Sequence, residues 1–210
     1  TREAIDPLRF IGNHSSGKQG AAIARALVER GADVTVFAAN IEPGVLPGGI
    51  TVVNTPSAIE MHEAVQGAAA NFDIGFFVAA VADFRPKQSW DQKVKKTSEN
   101  EDGWSLQLVR NPDILRETAR RYPDLLCVGF AAETGEEAQV LEFGRAKAGR
   151  KGARFIAINQ VGNGHGFGTE NNRVTVMDGA GTKVLSVAGT KLQVARELVE
   201  LVAAQLVKNN

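Results

Sequence analysis

The sequence predicts an α/β fold, a Rossmann-like three-layer sandwich around a mostly parallel sheet, and three observations predict it. Short β-rich apolar runs alternate with longer stretches at helical spacing, the order that builds a parallel sheet with helices on its faces. The run Ile74-Gly75-Phe76-Phe77-Val78-Ala79-Ala80 is apolar at consecutive positions, which marks a central strand covered on both sides. With 210 residues, 43% of them apolar, the chain has material for one large core and reads as a single domain, 1–210.

Each element has its own signal. Residues 17–30 set Ile23, Leu27 and Val28 on one side of a helix that stops at Gly31. Strands follow at 34–37 and 51–53. Thr55 and Pro56 then start a helix near Ser57, with a cap and a proline at the first helical position. The central strand over 74–80 runs out at Asp83. Residues 104–109 read as a strand, Asn111-Pro112-Asp113 as a helix cap and 125–130 as a second buried strand. A polar helix over 136–151 and a strand over 155–158 lead to a Gly- and Asn-rich loop, 159–172. Strands at 174–177 and 183–187 flank Asp178-Gly179-Ala180-Gly181, a hairpin signal, and 190–207 is a closing amphipathic helix. A nucleotide-binding α/β fold normally has a buried strand before its glycine-bearing loop. Here a loop-like Asp6-Pro7 turn stands in that place, so the first strand is expected to be missing, as in an excised domain.

Composition excludes several classes. Cys127 is the only cysteine, which suits a reducing cytoplasm, and His14, His62 and His165 show no metal-ligand spacing. No apolar run approaches the roughly 18 residues of a membrane span, and no signal peptide is evident. Lys plus Arg (24) balances Asp plus Glu (24), which argues against a broad nucleic-acid surface. Ser15 and Ser16 have no identifiable base, so a nucleophilic triad has no support. G-x-G-x-x-G is absent and no acidic residue ends the 34–37 strand, so a nicotinamide cofactor is not expected.

Three segments carry chemistry. Gly12-Asn13-His14-Ser15-Ser16-Gly17-Lys18-Gln19-Gly20 leads into a helix, so its amides and the helix N-terminus can hold an anion. It nearly spells G-x-x-x-x-G-K-[ST], but Gln19 stands where a hydroxyl must hold Mg²⁺; a ligand-free glycine-rich helix start is the plain alternative. The second segment, Ala79-Ala80-Val81-Ala82-Asp83, sits at a strand's carboxyl end, where ligands bind in open parallel sheets. Asp83 suits a ribose hydroxyl or Mg²⁺, or simply caps a turn. Lys87, Lys93, Lys95 and Lys96 follow in a basic flap or an ordinary solvated loop. Third, Lys147 and Lys151 lie one helical turn apart and suit a polyphosphate, or merely complement a helix C-terminus.

Thr1-Arg2-Glu3, Asp6-Pro7-x-Arg9, Asn13-His14-Ser15-Ser16-Gly17-Lys18, Ala79 to Asp83, Lys93-Val94-Lys95-Lys96, Asn111-Pro112-Asp113-Ile114 and Val128-Gly129-Phe130-Ala131-Ala132-Glu133-Thr134 together resemble the phosphopantothenate–cysteine ligase family of coenzyme A biosynthesis, in that order and over essentially the whole chain. The resemblance is to the bacterial form, which uses CTP and Mg²⁺ and usually forms the C-terminal half of a polypeptide with a flavin-dependent decarboxylase at its N-terminus. It implies a cytoplasmic ligase joining 4′-phosphopantothenate to cysteine through an acyl-cytidylate, with a P-loop-like NTPase or a non-catalytic nucleotide-binding module as alternatives. By resemblance, Phe77, Val78 and Ala79 with Pro112, Asp113, Ile114 and Leu115 form the nucleotide pocket and Phe130 lies beside the base. Asp83 and Lys93 handle ribose, metal and phosphate charge, and Lys147 and Lys151 bind the triphosphate. Asn13 contacts the acyl group and serves amide formation, with Ala79 and Ala80 beside the substrate. Family members are homodimers, so Arg9 is expected to reach the substrate phosphate from the neighbouring subunit, and 159–172 with the following hairpin resembles the interface element. Neither nucleic acid nor membrane is expected as a partner.

Overall fold

The computed structural model describes residues 1–41, 44–95, 103–133, 137–160 and 170–208. The chain opens with β1 (Arg2–Asp6) and β2 (Arg9–Gly12), an antiparallel pair around the expected turn. Asp6 makes the turn: its Oδ1 accepts the N–H groups of Leu8 and Arg9, both at 2.9 Å. In α1 (Lys18–Glu29), Ala21, Ile23, Ala24 and Ala26 point inward, and the helix gives out before Gly31, whose φ of 78° a side chain would oppose. β3 (Thr35–Ala38) and β4 (Thr51–Asn54) pair in parallel.

At α2 (Ala58–Ala68) the start differs from expectation. Pro56 precedes the cap instead of occupying the first helical position, and Ser57 forms a capping box with Glu60. Glu3, buried in β1, adds its Oε1 as a 3.0 Å acceptor for the Ala58 N–H.

β5 (Ile74–Phe77) is shorter than the strand read over 74–80, and it is not central. It lies at the edge of the five-stranded sheet, pairs among the described residues with β8 alone, and all four of its residues are only half-buried. β6 (Phe84–Pro86) and β7 (Leu108–Arg110) form a short antiparallel pair. The strand read over 104–109 is reduced to its end: Pro86, with no N–H to donate, closes β6, and Trp104 turns aside to pack on Trp90 at 5.6 Å. After α3 (Ile114–Arg121) comes the strand that is covered on both sides, β8 (Leu126–Glu133), followed by α4 (Glu137–Lys151) and β9 (Phe155–Gln160). β10 (Asn171–Asp178), β11 (Lys183–Thr190) and α5 (Lys191–Lys208) complete the chain.

The main sheet runs β11-β10-β9-β8-β5, parallel through β5, β8 and β9 and antiparallel across β10 and β11. The β10–β11 hairpin forms the antiparallel end of this sheet, with β11 as its edge strand. Val174, Val176 and Met177 of β10 are wholly buried because β9 and β11 flank the strand and helices cover it. One face of the sheet packs Val128, Val174 and Val176 against Ile23 of α1 and Val194, Leu198 and Val202 of α5. On the other, Ile156, Ile158 and Met177 meet Ala148 of α4 and Leu115 of α3. Each such aliphatic side chain contributes about 1.5–3 kcal/mol of transfer free energy, so the three layers hold without disulfide or metal. No helix among the described residues is long and apolar enough to cross a membrane.

Two glycines set the layer spacing. A Cβ at Gly129 would lie 2.4 Å from Leu115 Cδ2, and one at Gly144 would lie 1.9 Å from Ile158 Cδ1. Helices α3 and α4 thereby sit closer to β8 and β9 than any side chain at those positions would permit.

Candidate functional site

Parallel strands deliver their carboxyl ends to the same edge of a sheet, and the register Phe77 with Gly129 aligns β5 and β8 so that the 78–83 segment and Glu133 both emerge there. Residues 79–83 form no helix or strand, yet each carbonyl is used. The Val81 N–H donates to Ala79 O (2.9 Å), the Thr1 nitrogen to Ala80 O (3.1 Å) and Asn13 Nδ2 to Val81 O (3.1 Å). Asn111 Nδ2 donates to Ala82 O (2.8 Å) and its backbone N–H to Asp83 O (2.9 Å), while the Ala82 N–H donates to Thr1 Oγ1 (3.0 Å). An irregular segment with this many partners is fixed in place, because breaking any one bond leaves a polar group to be resolvated.

The glycine loop approaches the same turn. Gly17 caps α1 in the left-handed conformation with φ 69° and no side-chain hydrogen bond, and the first turn of α1 carries no acidic residue. Its N-terminus is thus open to an anion. Val78, half-buried, faces Gly20 of this first turn, where a Cβ would lie 3.9 Å from it. Gln19 is engaged elsewhere. Its Oε1 accepts from Asn172 Nδ2 (2.8 Å) and its Nε2 donates to Lys191 O (3.2 Å), tying α1 to β10 and α5. A residue so occupied does not replace a metal-binding hydroxyl, which removes the phosphate-binding-loop geometry. Burial, with Lys18 nearby, holds the Lys191 ammonium below its ordinary pKa.

Behind the turn, Pro112, Asp113, Ile114 and Leu115 start α3. Asp113 is its N-cap, with Oδ1 accepting the Arg116 N–H at 3.2 Å, and its Oδ2 meets Lys151 Nζ at 2.5 Å. Lys147 Nζ lies 2.5 Å from Glu133 Oε1 at the end of β8. Both expected polyphosphate lysines therefore carry an internal carboxylate. Phe77 and Phe130 are half-buried on β5 and β8, and Ala79 and Asp83 are exposed, with Ala80 half-buried. A nucleotide-borne Mg²⁺ keeps several waters and needs one or two carboxylates. The exposed Asp83 carboxylate suits that mode, and among the described residues no cluster of three or more His, Cys, Asp or Glu forms a closed cage.

Arg9 and Lys93 belong to a second cluster, at the other end of β1. Asp6 Oδ2 accepts from Arg9 Nε (3.0 Å), from Arg9 Nη2 and from the Val94 N–H (3.1 Å), and Arg9 Nη2 also donates to Val94 O (3.0 Å). Chiefly the Arg9 guanidinium holds the Asp6 carboxyl well below the usual carboxylate range. Arg9 also lies 5.3 Å from the Trp104 ring centre. These bonds fix the backbone beside Lys93, whose exposed side chain is not brought by any described bond to the 79–83 turn. β1 joins the two clusters, spanning about 17 Å at the usual strand rise. Burial pushes the Cys127 thiol up to about 11, so it is no nucleophile at neutral pH.

Sequence reasoning does not single out Asn111, Thr1 and Glu133 as site builders. Asn111 is visible only as part of a cap; its hold on Ala82 and Asp83 crosses 29 residues and has no local signature. Lys96, Thr134, His165 and most of the 159–172 loop lie outside the described residues.

The family model for the DNA/pantothenate metabolism flavoprotein C-terminal domain matches residues 1–206. The chain is 40% identical over 213 aligned positions to the coenzyme A biosynthesis bifunctional protein CoaBC of Mycolicibacterium smegmatis, covering 98% of this chain and 51% of that protein. It thus spans about half the length of such curated relatives. A crystal structure of the C-terminal domain of a coenzyme A biosynthesis bifunctional protein CoaBC superposes with a TM-score of 0.79 at 33% identity, covering 99% of this chain and 92% of that one. At 16% identity and a TM-score of 0.75, a Cab2 mutant in complex with phosphopantothenate-cysteine shares the fold, over 99% of this chain and 84% of its own.

Proposed function

The chain belongs to the family of the DNA/pantothenate metabolism flavoprotein C-terminal domain, and from that premise we propose that it is the phosphopantothenate–cysteine ligase of coenzyme A biosynthesis, driven by CTP. The observation that carries the reading is the turn 79–83, pinned by Thr1, Asn13 and Asn111 at the same sheet edge as the lysine pair of α4. It offers a rigid backbone wall for a nucleotide and, beside it, a helix N-terminus without a side-chain cap and two ammonium groups for its phosphates.

The chemistry needs two steps. A carboxylate oxygen of 4′-phosphopantothenate attacks the α-phosphorus of CTP and pyrophosphate leaves; the cysteine amine then attacks the acyl carbon, loses a proton, and CMP leaves. Phe77, Val78, Ala79, Pro112, Asp113, Ile114, Leu115 and Phe130 hold the nucleoside. Lys147, Lys151 and Lys93 bear the phosphate charge as it grows on the departing pyrophosphate. Asp83 would hold Mg²⁺, which would supply further charge neutralisation at the triphosphate. Asn13, Ala79 and Ala80 hold the acyl end. Asn13 Nδ2 has a second hydrogen beyond the one given to Val81 O, and that hydrogen is the donor for the oxyanion of the second step.

Arg9 serves the substrate phosphate of a neighbouring subunit in a homodimer; its Nη1 stays outside the described bonds to Asp6 and Val94. In the full-length polypeptide a flavin-dependent decarboxylase precedes this domain, in the cytoplasm. The Cab2 complex with phosphopantothenate-cysteine supports the product class. The test is incubation with 4′-phosphopantothenate, cysteine, Mg²⁺ and either CTP or ATP, with mass spectrometry of products. CMP with the amide product supports the reading. Nucleoside diphosphate and free phosphate would assign an NTPase instead, and CTP binding without product a non-catalytic module.

A further inference from the structure

The lysines assigned to the polyphosphate are already paired. Glu133 Oε1 sits 2.5 Å from Lys147 Nζ and Asp113 Oδ2 sits 2.5 Å from Lys151 Nζ. These carboxylates come from different elements, the end of β8 and the cap of α3, and both sit on short side chains. Glu133 has a side chain only 15% exposed on a strand end paired with β9, and Asp113 is committed through its other oxygen to the Arg116 N–H. The lysines reach them along long, rotatable stems. Helix α4 is held at this height by Gly144 against Ile158.

We propose that Glu133, seconded by Asp113, is a built-in counter-anion of the site: it positions Lys147 while the site is empty and competes with the incoming polyphosphate, so that affinity for triphosphate and pyrophosphate is set below what two free lysines would give. On binding, the ammonium groups swing from fixed carboxylates to phosphate oxygens, and the carboxylates remain as a repulsive background that favours release of pyrophosphate. The pairs also offset the repulsion between like charges one helical turn apart. An ordinary surface ion pair makes a different forecast, because it is worth little and its loss leaves ligand affinity unchanged.

The inference rests on the assignment of Lys147 and Lys151 to the polyphosphate, so the test uses two probes on the whole chain: inorganic tripolyphosphate by calorimetry, and steady-state turnover with CTP. Glu133→Gln keeps the shape and the acceptor but removes the charge. It is expected to tighten tripolyphosphate binding roughly two- to fivefold, the scale of one partly exposed charge contact. The KM for CTP and the inhibition constant of pyrophosphate fall by a similar factor, while kcat holds or drops as release slows. Asp113→Asn, which preserves a capping side chain, shifts affinity in the same direction and keeps the test open if the first variant folds poorly. In a Lys147→Gln background the Glu133→Gln gain disappears.

Unchanged or weaker tripolyphosphate binding in both variants overturns the inference. So does a gain that survives without Lys147, or a collapse of kcat at unaltered KM, which would make Glu133 part of the chemistry. If wild type binds tripolyphosphate but forms no amide, the ligase reading fails while the counter-anion result stands; if it binds neither tripolyphosphate nor CTP, the lysine assignment and this inference fall together.

Discussion

Asn13 anchors the turn and is proposed as the oxyanion donor, and the size of the effect of removing it separates the two roles. Its exposed amide donates to Val81 O at 3.1 Å. If anchoring the turn is all it does, Asn13→Ala loses a net of about 0.5–1.5 kcal/mol, a change of roughly two- to thirteenfold spread over every step that uses the turn. If its second N–H stabilises the oxyanion of amide formation, the loss is about 2.7–4 kcal/mol, or roughly 10²–10³-fold, and falls on that step alone. The expected outcome is the second. Rapid-quench sampling with CTP and 4′-phosphopantothenate should show pyrophosphate and acyl-cytidylate forming within about tenfold of the wild-type rate, and cysteine should convert the intermediate at least about 10²-fold more slowly. Asn13→Asp should block the same step while activation persists, but less cleanly, since one carboxylate oxygen then faces the Val81 carbonyl and pushes the turn away. Activation and amide formation slowed alike by about tenfold or less would refute the oxyanion role and leave Asn13 as an anchor.

Lys93→Gln should slow acyl-cytidylate formation by roughly 10²-fold if a contact of about 2.7 kcal/mol in the transition state is lost, and pyrophosphate release at the wild-type rate would remove it from the site. Sedimentation should give about twice the monomer mass; a monomer fully active at micromolar concentration would free Arg9 from any role across subunits. Gly144→Ala gains about 1 kcal/mol of helix propensity but adds a methyl 1.9 Å from Ile158 Cδ1, an overpacking cost of about 1–3 kcal/mol, so denaturant titration should show a loss of up to about 2 kcal/mol. Relief of that loss by adding Ile158→Val checks the cause, and an unchanged midpoint in Gly144→Ala would show that Ile158 simply rotates away. The Asp6 carboxyl titrates lower in the folded chain than its ordinary value of 3.8, so its contribution is present above that pH and fades as pH falls further. Acid unfolding of Asp6→Asn should therefore lack that part of the slope below about pH 4, the two proteins converging at low pH; parallel curves would contradict it.

Much of the frame is legible because it depends on local pattern. The spacing of Ile23 and Leu27, the Asp113 cap and the turn at Asp178 each act within a few residues, and each appears where the pattern places it. The differences lie where neighbours decide. An apolar run reads the same in a central as in an edge strand, so 74–80 suggests a covered strand although β8 takes that place. The 104–109 run is read as a strand, yet only its end pairs, because β6 offers it a partner only as far as Pro86.

By itself, the sequence determined the residue types available for an anion, a carboxylate and a base, and the order of motifs that reveals the family. Tertiary structure alone decided which of them are occupied: that Gln19 is taken by Asn172 and Lys191, Arg9 also by the Val94 carbonyl, and the two lysines of α4 by Glu133 and Asp113. The physical reason is range. Capping and periodicity act along the chain over one or two turns, whereas a hydrogen bond or ion pair between residues 38 or 153 positions apart exists only once the layers have packed and brought the groups within about 3 Å.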